Sequence, residues 1–398
     1  MIEEFTEKFY RDPYARELVS KVLSCEPAGN GFAVVLDDTI FYPEGGGQPA
    51  DHGTLRPDDG NGELRVTDVR RRKDGTIVHF CDAPVSAGTR VTGRIDWDRR
   101  FDLMQNHSGE HILSGLVHAA LGYENVGFHM GEMITIDFSG PMDWETLMSL
   151  ERQANGMVYR NLPIAQSYPD EAELRELSYR SKKELSGKVR IVTVPETDAC
   201  ACCGLHVART GEIGLIKCFS LMNYKGGVRI EMASGRRALS ELTRRVDQSI
   251  ELSRMLAAEP GHIAEAVQRL RGESADKDRR LAEVMTWYFA AASEALPADR
   301  PLQILFEEGL SPVETRRFCD YLLERGLGAV ALVLSRQEGG WYYCLGSRRV
   351  DVRAHAKALN ANLSGRGGGS AEMIQGTWAA EPERIREVLG KEFSDVRL

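Results

Sequence analysis

The spacing of hydrophobic and polar positions changes character along the chain. Short runs in which apolar and polar residues alternate fill the first hundred positions, separated by Gly, Asp and Pro; they include 31–36, 63–69, 76–80 and 90–95. Alternation with a period of two is typical of a strand with one buried face. Residues 1–95 are therefore predicted to form a small antiparallel β domain, a barrel.

The period becomes helical at residue 99, where apolar side chains begin to recur every three or four positions up to Gly122. The same reasoning predicts a strand over 133–138, a helix over 144–159, a helix over 171–180 and a strand over 189–194. Helices and strands that alternate in this way indicate an α+β domain, which we place at 96–238.

Residues 239–298 consist almost entirely of helix formers, and one apolar stripe contains Leu239, Leu242, Val246 and Ile250. Such a stripe is typical of a packing surface, so this helical linker is predicted to help form a homodimer. Residues 299–398 predict a compact α/β domain with a helix that starts after Ser311 and a glycine-rich loop at 365–369. The fold class is multidomain α+β.

Composition narrows the possible functions. A chain of 398 residues is too long for one core. It has no apolar run of the roughly 18 residues that span a membrane, and an acidic start, Met1 to Glu4, so the cytoplasm is the expected location. The net charge of −9 argues against general coating of nucleic acid. Basic segments that could still touch RNA lie at 70–73, 180–190 and 348–357.

Two short segments each carry two metal-ligating side chains four positions apart. HSGEH contributes His107 and His111, and CCGLH contributes Cys202 and His206. A spacing of four places both side chains on one face of a helix, and we expect both segments to be helical. Three imidazoles and one thiolate suit Zn²⁺, so the two segments together predict one zinc site.

Two other interpretations of these segments remain open. HSGEH fits the inverted-zincin pattern H-x-x-E-H, in which Glu110 would activate water for peptide hydrolysis. On a helix, Glu110 could equally be a solvated residue or one that supports a ligand. Alternatively, Cys200, Cys202, Cys203 and His206 could form a local structural zinc knuckle, because crowded cysteines in a reducing compartment indicate metal binding or reactivity.

A third motif lies in the predicted β domain. The segment TIFYPEGGGQP (39–49) contains three successive glycines, whose N–H groups can hold carboxylate, phosphate or ribose oxygens. It has neither the ending of a nucleotide P-loop nor the spacing of a dinucleotide-binding turn. By itself it is also consistent with an ordinary glycine-rich hairpin.

In order along the chain, these motifs resemble the editing domain of alanyl-tRNA synthetases and the freestanding alanyl-tRNA editing proteins related to it. The resemblance rests on FYPEGGGQ (41–48), HSGEH, CCGLH, TGEIG (210–214) and KGGVRI (225–230), and it covers residues 1 to about 238. It extends more loosely to GRGGGSAEMIQG (365–376), which looks like the end of the domain shared with DHH phosphoesterases.

The resemblance implies zinc-assisted hydrolysis of the ester that joins a wrong amino acid, serine or glycine, to tRNA(Ala). It carries the zinc ligands onto His107, His111, Cys202 and His206. The residues implied for catalysis or substrate binding are Thr39, which would recognise serine, and Gly45, Gly46, Gly47, Gln48, Glu110, His129 and Asp137. Leu205 and Cys203 depart from the residues usual in the family.

Two expectations follow for the whole protein. Because the alternating runs of the β domain begin at about residue 15, we expect the chain to edit tRNA without charging it and without ATP. A zinc-containing scaffold that binds tRNA without catalysis is the alternative outside the enzymes. The C-terminal domain is predicted to bind tRNA or to dimerise, with no second activity.

Overall fold

The structure is a computed structural model, and it describes residues 7–58, 60, 62–181, 188–297 and 299–397. The chain divides into two compact units, Met1–Glu251 and Leu252–Leu398. Among the described residues, no helix is long and apolar enough to span a bilayer. Lys182 and Lys183, part of one basic segment, lie outside the described residues.

The predicted barrel is confirmed. A short helix, α1 (Lys8–Arg11), precedes six strands that close in the order β1-β2-β5-β4-β3-β6, with every neighbouring pair antiparallel. Alternate side chains point inward, so Val34, Leu55, Val66 and Val91 are fully buried in its core. The strands are β1 (Glu17–Ala28), β2 (Gly31–Leu36), β3 (Gly53–Pro57), β4 (Leu64–Arg71), β5 (Ile77–Cys81) and β6 (Arg90–Ile95).

The rest of the first unit is built around one long buried helix, α2 (Trp97–Leu121). A four-stranded sheet, ordered β12-β13-β8-β7, and a three-stranded sheet, ordered β11-β10-β9, accompany it. The remaining elements are β7 (Asn125–Met130), β8 (Ile134–Phe138), α3 (Trp144–Arg160), β9 (Ala165–Ser167), α4 (Glu171–Glu176), β10 (Ile191–Val194), β11 (Asp198–Ala201), a 3₁₀ helix (Thr210–Ile213), β12 (Ile216–Tyr224) and β13 (Gly227–Ser234).

Two long helices cover most of the predicted linker. They are α5 (Gly235–Leu256), which continues directly from β13, and α6 (Ile263–Ser293), which follows a short 3₁₀ helix (Pro260–His262). On α5, the stripe residues Leu239, Val246 and Ile250 are exposed. The domain boundaries inferred from the sequence stay a prediction.

The second unit contains a mixed five-stranded sheet in the order β14-β15-β16-β18-β17, in which only β14 and β15 run parallel. Ser311 caps the helix predicted to follow it, in a reciprocal pair with Glu314. The elements are β14 (Leu302–Glu307), α7 (Pro312–Glu324), β15 (Val330–Gln337), β16 (Gly340–Ser347), α8 (Val352–Asn362), β17 (Gly365–Gly369), β18 (Met373–Trp378) and α9 (Pro382–Glu392).

Two local predictions were wrong. Residues 365–369, predicted as a glycine-rich loop, form a strand that pairs with β18. The pairing is so close that a Cβ on Gly365, Gly367 or Gly369 would lie 2.0–2.4 Å from a carbonyl oxygen of β18, which explains the glycines. The helix expected over 171–180 ends at Glu176. Arg180 instead pairs with the end of β11, where its N–H donates to Ala199 O at 2.8 Å.

Candidate metal centre and substrate cavity

The first ligand pair lies in the middle of α2. The Asp96 carboxylate caps the start of this helix by accepting from Arg99 N at 3.1 Å, and Gly122 ends it in the left-handed conformation. The segment from Leu103 to Ile112 is buried almost throughout. His107 and His111 are therefore held one turn apart in the interior, with ring centroids 5.2 Å from each other.

The second ligand pair does not lie on a helix, contrary to the prediction. After β11, residues 202–206 form an irregular loop. In a helix, the Cys202 carbonyl would accept from the N–H four residues later. Here the buried Arg190 guanidinium donates to Cys202 O at 2.8 Å and to Gly204 O at 2.7 Å, and Cys202 N continues the strand pairing to Arg190 O. Arg190 thus replaces the helical hydrogen bonds.

The fold brings all four predicted ligands together. One nitrogen each of His107, His111 and His206 and the Cys202 sulfur lie within 4.8 Å of one another. The three histidines are at most 3 % exposed, and among the described residues His206 Nε2 has no hydrogen-bond partner. A buried nitrogen without a partner is costly unless something binds it. The donor set and this unsatisfied nitrogen both fit Zn²⁺.

Each histidine is oriented through its other ring nitrogen, as is usual for metal-binding histidines. His107 Nδ1 lies 3.2 Å from Gln48 Oε1, and His111 Nδ1 lies 2.9 Å from Asp198 Oδ2. His206 Nδ1 lies 3.2 Å from the Ser108 hydroxyl. The Nε2 atoms are therefore the ones left for a metal.

Asp198 was not predicted from the sequence, although it supports the site directly. Its carboxylate also accepts from Arg180 Nε at 2.7 Å and from Arg180 Nη2 at 2.9 Å. Asp198 and Cys200 are two positions apart on β11, so their side chains lie on the same face of the strand. This spacing is the one signal in the sequence that could have identified Asp198, and nothing in the local sequence connects Asp198 with Arg180.

The protonation states follow from burial and from the neighbouring ligands. Burial raises the pKa of the Cys202 thiol, but the His107 and His111 imidazoles outweigh burial and hold this pKa well below its usual value. Burial, together with the same two histidines, lowers the pKa of His206 well below its usual value. Burial lowers the pKa of His111, but the Cys202 thiolate and Asp198 outweigh burial and hold this pKa well above its usual value. A thiolate and a neutral imidazole are the forms that bind metal, so Cys202 and His206 are ready for it, whereas His111 loses a proton when a metal binds.

The glycine motif forms a tight turn beside this cluster. Gly45 and Gln48 pair through both backbone hydrogen bonds, while Gly46 (φ 58°) and Gly47 (φ 82°) occupy the corner positions of a type I′ turn. A Cβ on Gly47 would lie 2.6 Å from the Phe128 ring. Within the described part of the chain, the N–H groups of Gly46 and Gly47 donate to no protein acceptor.

Gln48 joins the turn to the ligand loop. Its side chain is fully buried, and its Oε1 accepts from Leu205 N at 2.8 Å as well as facing His107. Leu205, the departure noted in the sequence, is itself buried in the core of the unit, whereas Cys203 is exposed and lines the cavity.

A cavity of about 800 Å³ opens over the cluster. The Phe128 ring stacks on His107 at a centroid distance of 5.6 Å. The lining residues come from the glycine turn, α2, β7 and the cysteine-rich segment, and they include Gly46, Gly47, His107, His111, Asn125, Phe128, Cys200, Cys202 and Cys203.

Glu110 is neither solvated nor exposed. It is 1 % exposed, and its Oε1 accepts from Ser114 Oγ at 2.7 Å and from Asn125 Nδ2 at 2.6 Å. Its other oxygen lies 4.0 Å from His111 Nε2. Because a carboxylate only accepts hydrogen bonds, it orients the Asn125 amide. Asn125 lines the cavity, and its Oδ1 is buried and accepts no hydrogen bond from the described residues.

Of the eight residues implied for catalysis or substrate binding, Gly46 and Gly47 line this cavity, whereas Gly45, Gln48 and Glu110 lie behind its wall or beside it and Thr39, His129 and Asp137 lie elsewhere. Thr39 is buried in the barrel, where its hydroxyl lies 2.8 Å from His79 Nε2 and accepts from a backbone N–H. His129 is exposed and borders a separate depression. The Asp137 carboxylate is paired with Arg229 through contacts of 2.6 and 2.8 Å.

Family models and known proteins match this chain in sequence, and one of these proteins matches it over almost its whole length. A family model described as tRNA synthetases class II (A) matches residues 7–99, and one described as the threonyl and alanyl tRNA synthetase second additional domain matches residues 189–231. The alanyl-tRNA editing protein AlaX-L of Pyrococcus horikoshii is 28% identical over 96% of both chains.

Two further relatives are longer. The alanyl-tRNA editing protein Aarsd1 of Bos taurus is 32% identical over 66% of this chain and 62% of its own length. The alanine–tRNA ligase of Pyrobaculum calidifontis is 32% identical over 96% of this chain, which spans 43% of the ligase. The barrel, the four-ligand cluster and these matches define the class: proteins related to the alanyl-tRNA synthetases. Within that class, the chain belongs to the family of alanyl-tRNA editing proteins.

The solved structures that match part of this chain include a domain of an alanyl-tRNA synthetase. The C-Ala domain from Aquifex aeolicus alanyl-tRNA synthetase is 26% identical, covers 23% of this chain and 87% of that chain, and has a TM-score of 0.21. A TM-score this low supports no statement about the fold. The relation of residues 299–398 to the domain shared with DHH phosphoesterases stays a prediction.

Proposed function

We propose that this protein hydrolyses the ester bond of mischarged Ser-tRNA(Ala) or Gly-tRNA(Ala), with Zn²⁺ held by His107, His111, Cys202 and His206. The observation that carries the proposal is the convergence of these four side chains beside the glycine turn, where His107, His111 and Cys202 line an open cavity. The names of the related editing proteins supply the substrate class.

The residues around the cavity suit an aminoacyl ester. Bound Zn²⁺ would supply Lewis-acid assistance to ester hydrolysis. The N–H groups of Gly46 and Gly47, which have no acceptor among the described residues, are available to an ester or ribose oxygen, and two such donors stabilise charge that develops on oxygen. Phe128, stacked on His107, provides an apolar wall. An aminoacyl ester is already activated, so a positioned water suffices and no covalent nucleophile is needed.

Discrimination against alanine would come from unpaired polar groups. A pocket that hydrogen-bonds a serine hydroxyl disfavours alanine, because the alanine methyl leaves those groups unsatisfied. Thr39 acts in this proposal through His79 and the barrel wall, since its hydroxyl is already bonded there. Gln48 acts by holding His107 and the Leu205 backbone.

The decisive assay measures deacylation of Ser-, Gly- and Ala-tRNA(Ala) with and without a chelator. We expect serine or glycine to be released much faster than alanine, and Cys202→Ala to lose both zinc and activity. Cys203→Ala is the matched control for zinc content, because this neighbouring thiol is exposed and lies outside the ligand group. A zinc-loaded protein that releases neither serine nor glycine would contradict the proposal.

The alternative site chemistries have less support. An inverted zincin needs a distant glutamate as its last ligand, whereas the group found among the described residues is completed by Cys202 and His206. Glu110, its required base, is bonded to Ser114 and Asn125. The local knuckle would need Cys203, which is exposed and outside that group. A non-catalytic scaffold would bind tRNA without turnover in the same assay.

Three broader expectations belong to the same proposal. The protein is expected to act in the cytoplasm, to work without ATP and to form a homodimer through its helical linker and C-terminal domain. Light scattering during size-exclusion chromatography tests the dimer directly. A monomer at micromolar concentration would contradict it.

A further inference from the structure

A second cavity, of about 660 Å³, lies on the other side of the glycine turn. One wall is the turn itself, and the opposite wall is the tip of the hairpin that joins β4 to β5. Buried rings of Tyr10 and Tyr42 contribute to the lining. We call this cavity the basic cleft; it is lined by Tyr10, Tyr42, Pro43, Glu44, Gly45, Gly46, Arg71, Arg72, Lys73, Asp74, Gly75 and Cys203.

The charge of the basic cleft differs from that of the protein as a whole. Arg71 forms an ion pair with Glu7 at 2.5 Å, so its charge is balanced. Arg72 and Lys73 are exposed, and their side chains form no ion pair within the described residues. Two carboxylates, Glu44 and Asp74, line the same cleft and offset these two charges, but neither forms an ion pair within the described residues, and Asp74 accepts from the Thr76 backbone N–H at 3.0 Å. The side chains of Arg72 and Lys73 are therefore available to an anionic ligand in a cleft that is less acidic than the chain as a whole, whose net charge is −9.

The basic cleft and the metal cavity share a boundary. Gly46 and Cys203 line both cavities. The Tyr42 hydroxyl joins the two sides of this ridge, because it lies 2.9 Å from Gly45 O and 3.1 Å from Cys203 O. A Cβ on Gly46 would lie 3.1 Å from Gly204 N, so the ridge stays narrow only with glycine there. One chain-like ligand can therefore occupy both cavities by crossing the ridge.

We propose that the basic cleft binds the phosphodiester backbone of the single-stranded RNA end whose terminal ester enters the metal cavity, with Arg72 and Lys73 as the phosphate contacts. The inference rests on the proposed function and extends it to a binding site for the nucleotides that precede the ester. Cations that follow a single strand recognise its backbone whatever its sequence. The site therefore contributes affinity and position, while the metal cavity selects the amino acid.

The test compares Arg72→Glu/Lys73→Glu with Arg56→Glu/Arg65→Glu. The control pair makes the same change of net charge on exposed barrel positions, and Arg65 lies at the opposite end of β4 from the hairpin tip. Two substrates are used: Ser-tRNA(Ala), and 3′-O-seryl-adenosine, which carries the same ester without phosphates.

For the cleft variant, we expect KM for Ser-tRNA(Ala) to rise about tenfold, with cleavage of seryl-adenosine unchanged. A plot of the logarithm of the binding constant against the logarithm of the salt concentration should also become less steep by about 1.4, because each lost phosphate contact on a single strand removes about 0.7 from the slope. A fluorescent CCA trinucleotide measures binding without catalysis, and it should bind the wild type and the control pair more tightly than the cleft variant.

The outcomes separate this inference from the proposed function. Equal KM values, salt slopes and trinucleotide affinities for the two double variants would overturn the cleft assignment, even if the wild type edits. Equal binding of an acidic peptide and of CCA would also overturn it, since the cleft would then not be selective for RNA. If the wild type cleaves neither ester but binds CCA through Arg72 and Lys73, the proposed function fails and the cleft stands.

Discussion

Asp198→Asn tests how far the surroundings of the ligands determine metal affinity. The Asp198 carboxylate accepts from His111 Nδ1 through Oδ2 and from Arg180 through both oxygens, at distances of 2.7 to 2.9 Å. It is buried, so water cannot replace a lost partner. The substitution keeps the shape of the side chain and exchanges one acceptor oxygen for an NH₂ group.

The geometry determines the size of the effect. If the oxygen of the new amide faces His111, its NH₂ group meets Arg180 Nε, which is another donor; if the amide is reversed, the NH₂ group meets His111 Nδ1–H. Either way one buried donor loses its acceptor, at a cost of about 1–3 kcal/mol. Loss of such a supporting carboxylate typically weakens metal binding about 10–100-fold, which corresponds to about 1.4–2.7 kcal/mol.

Zinc affinity is measured by competition with a chromophoric chelator at constant pH, and unfolding of the metal-free protein is followed separately by urea titration. Asp137→Asn is the control, because it weakens a similar two-contact pair with Arg229, at 2.6 and 2.8 Å, outside the ligand cluster. Wild-type zinc affinity in Asp198→Asn, with an intact fold, would refute the reasoning that this carboxylate holds His111 in place.

Three further predictions use other contacts. Gly204→Ala should abolish zinc binding while circular dichroism stays native, because the new Cβ would lie 2.0 Å from His107 Cε1; a variant with full zinc content contradicts this. Arg100→Met should lower the free energy of unfolding by about 3–5 kcal/mol, since it leaves the buried Asp51 carboxylate unpaired, whereas Arg100→Met/Asp51→Leu should cost less in the same urea titration. Burial lowers the pKa of His79 from 6.5 to about 4, so the unfolded chain binds its proton first and stability should fall by up to about 3 kcal/mol as the pH drops from 6.5 to 4. The midpoint of urea unfolding should fall across this pH range in the wild type and fall less in His79→Phe. If the midpoint depends on pH equally in both proteins, His79 is not the source of the effect.

The local sequence pattern was sufficient to predict elements whose structure depends on neighbouring residues. The four alternating runs named in the sequence predicted β2, β4, β5 and β6 to within two residues at each end, because a closed barrel buries every second side chain, whereas β1 and β3 were not among these runs. Asp96 and Ser311 act as helix caps through hydrogen bonds within a single turn. The four candidate ligands were also visible in the sequence, since histidine and cysteine at these spacings suit zinc, and the fold brings the four side chains together.

Local pattern failed where a distant residue supplied the hydrogen bonds. The spacing of Cys202 and His206 is helical, yet Arg190 binds the carbonyls that a helix would use, and twelve positions separate it from Cys202. The GRGGG segment has no alternation of apolar and polar residues, but pairing with β18 makes it a strand. Neither the Arg190 hydrogen bonds nor the pairing with β18 can be inferred from the spacing of hydrophobic and polar residues.

The sequence by itself determined the barrel, the buried helix that carries His107 and His111, and the identity of the four candidate ligands. Only the tertiary structure decided that the second pair lies in a loop, that Asp198 and Arg180 orient His111, and that Glu110 is turned toward Ser114 and Asn125. The physical reason is range. Periodicity reports which face is buried, whereas the geometry of a site depends on hydrogen bonds between residues far apart in the chain.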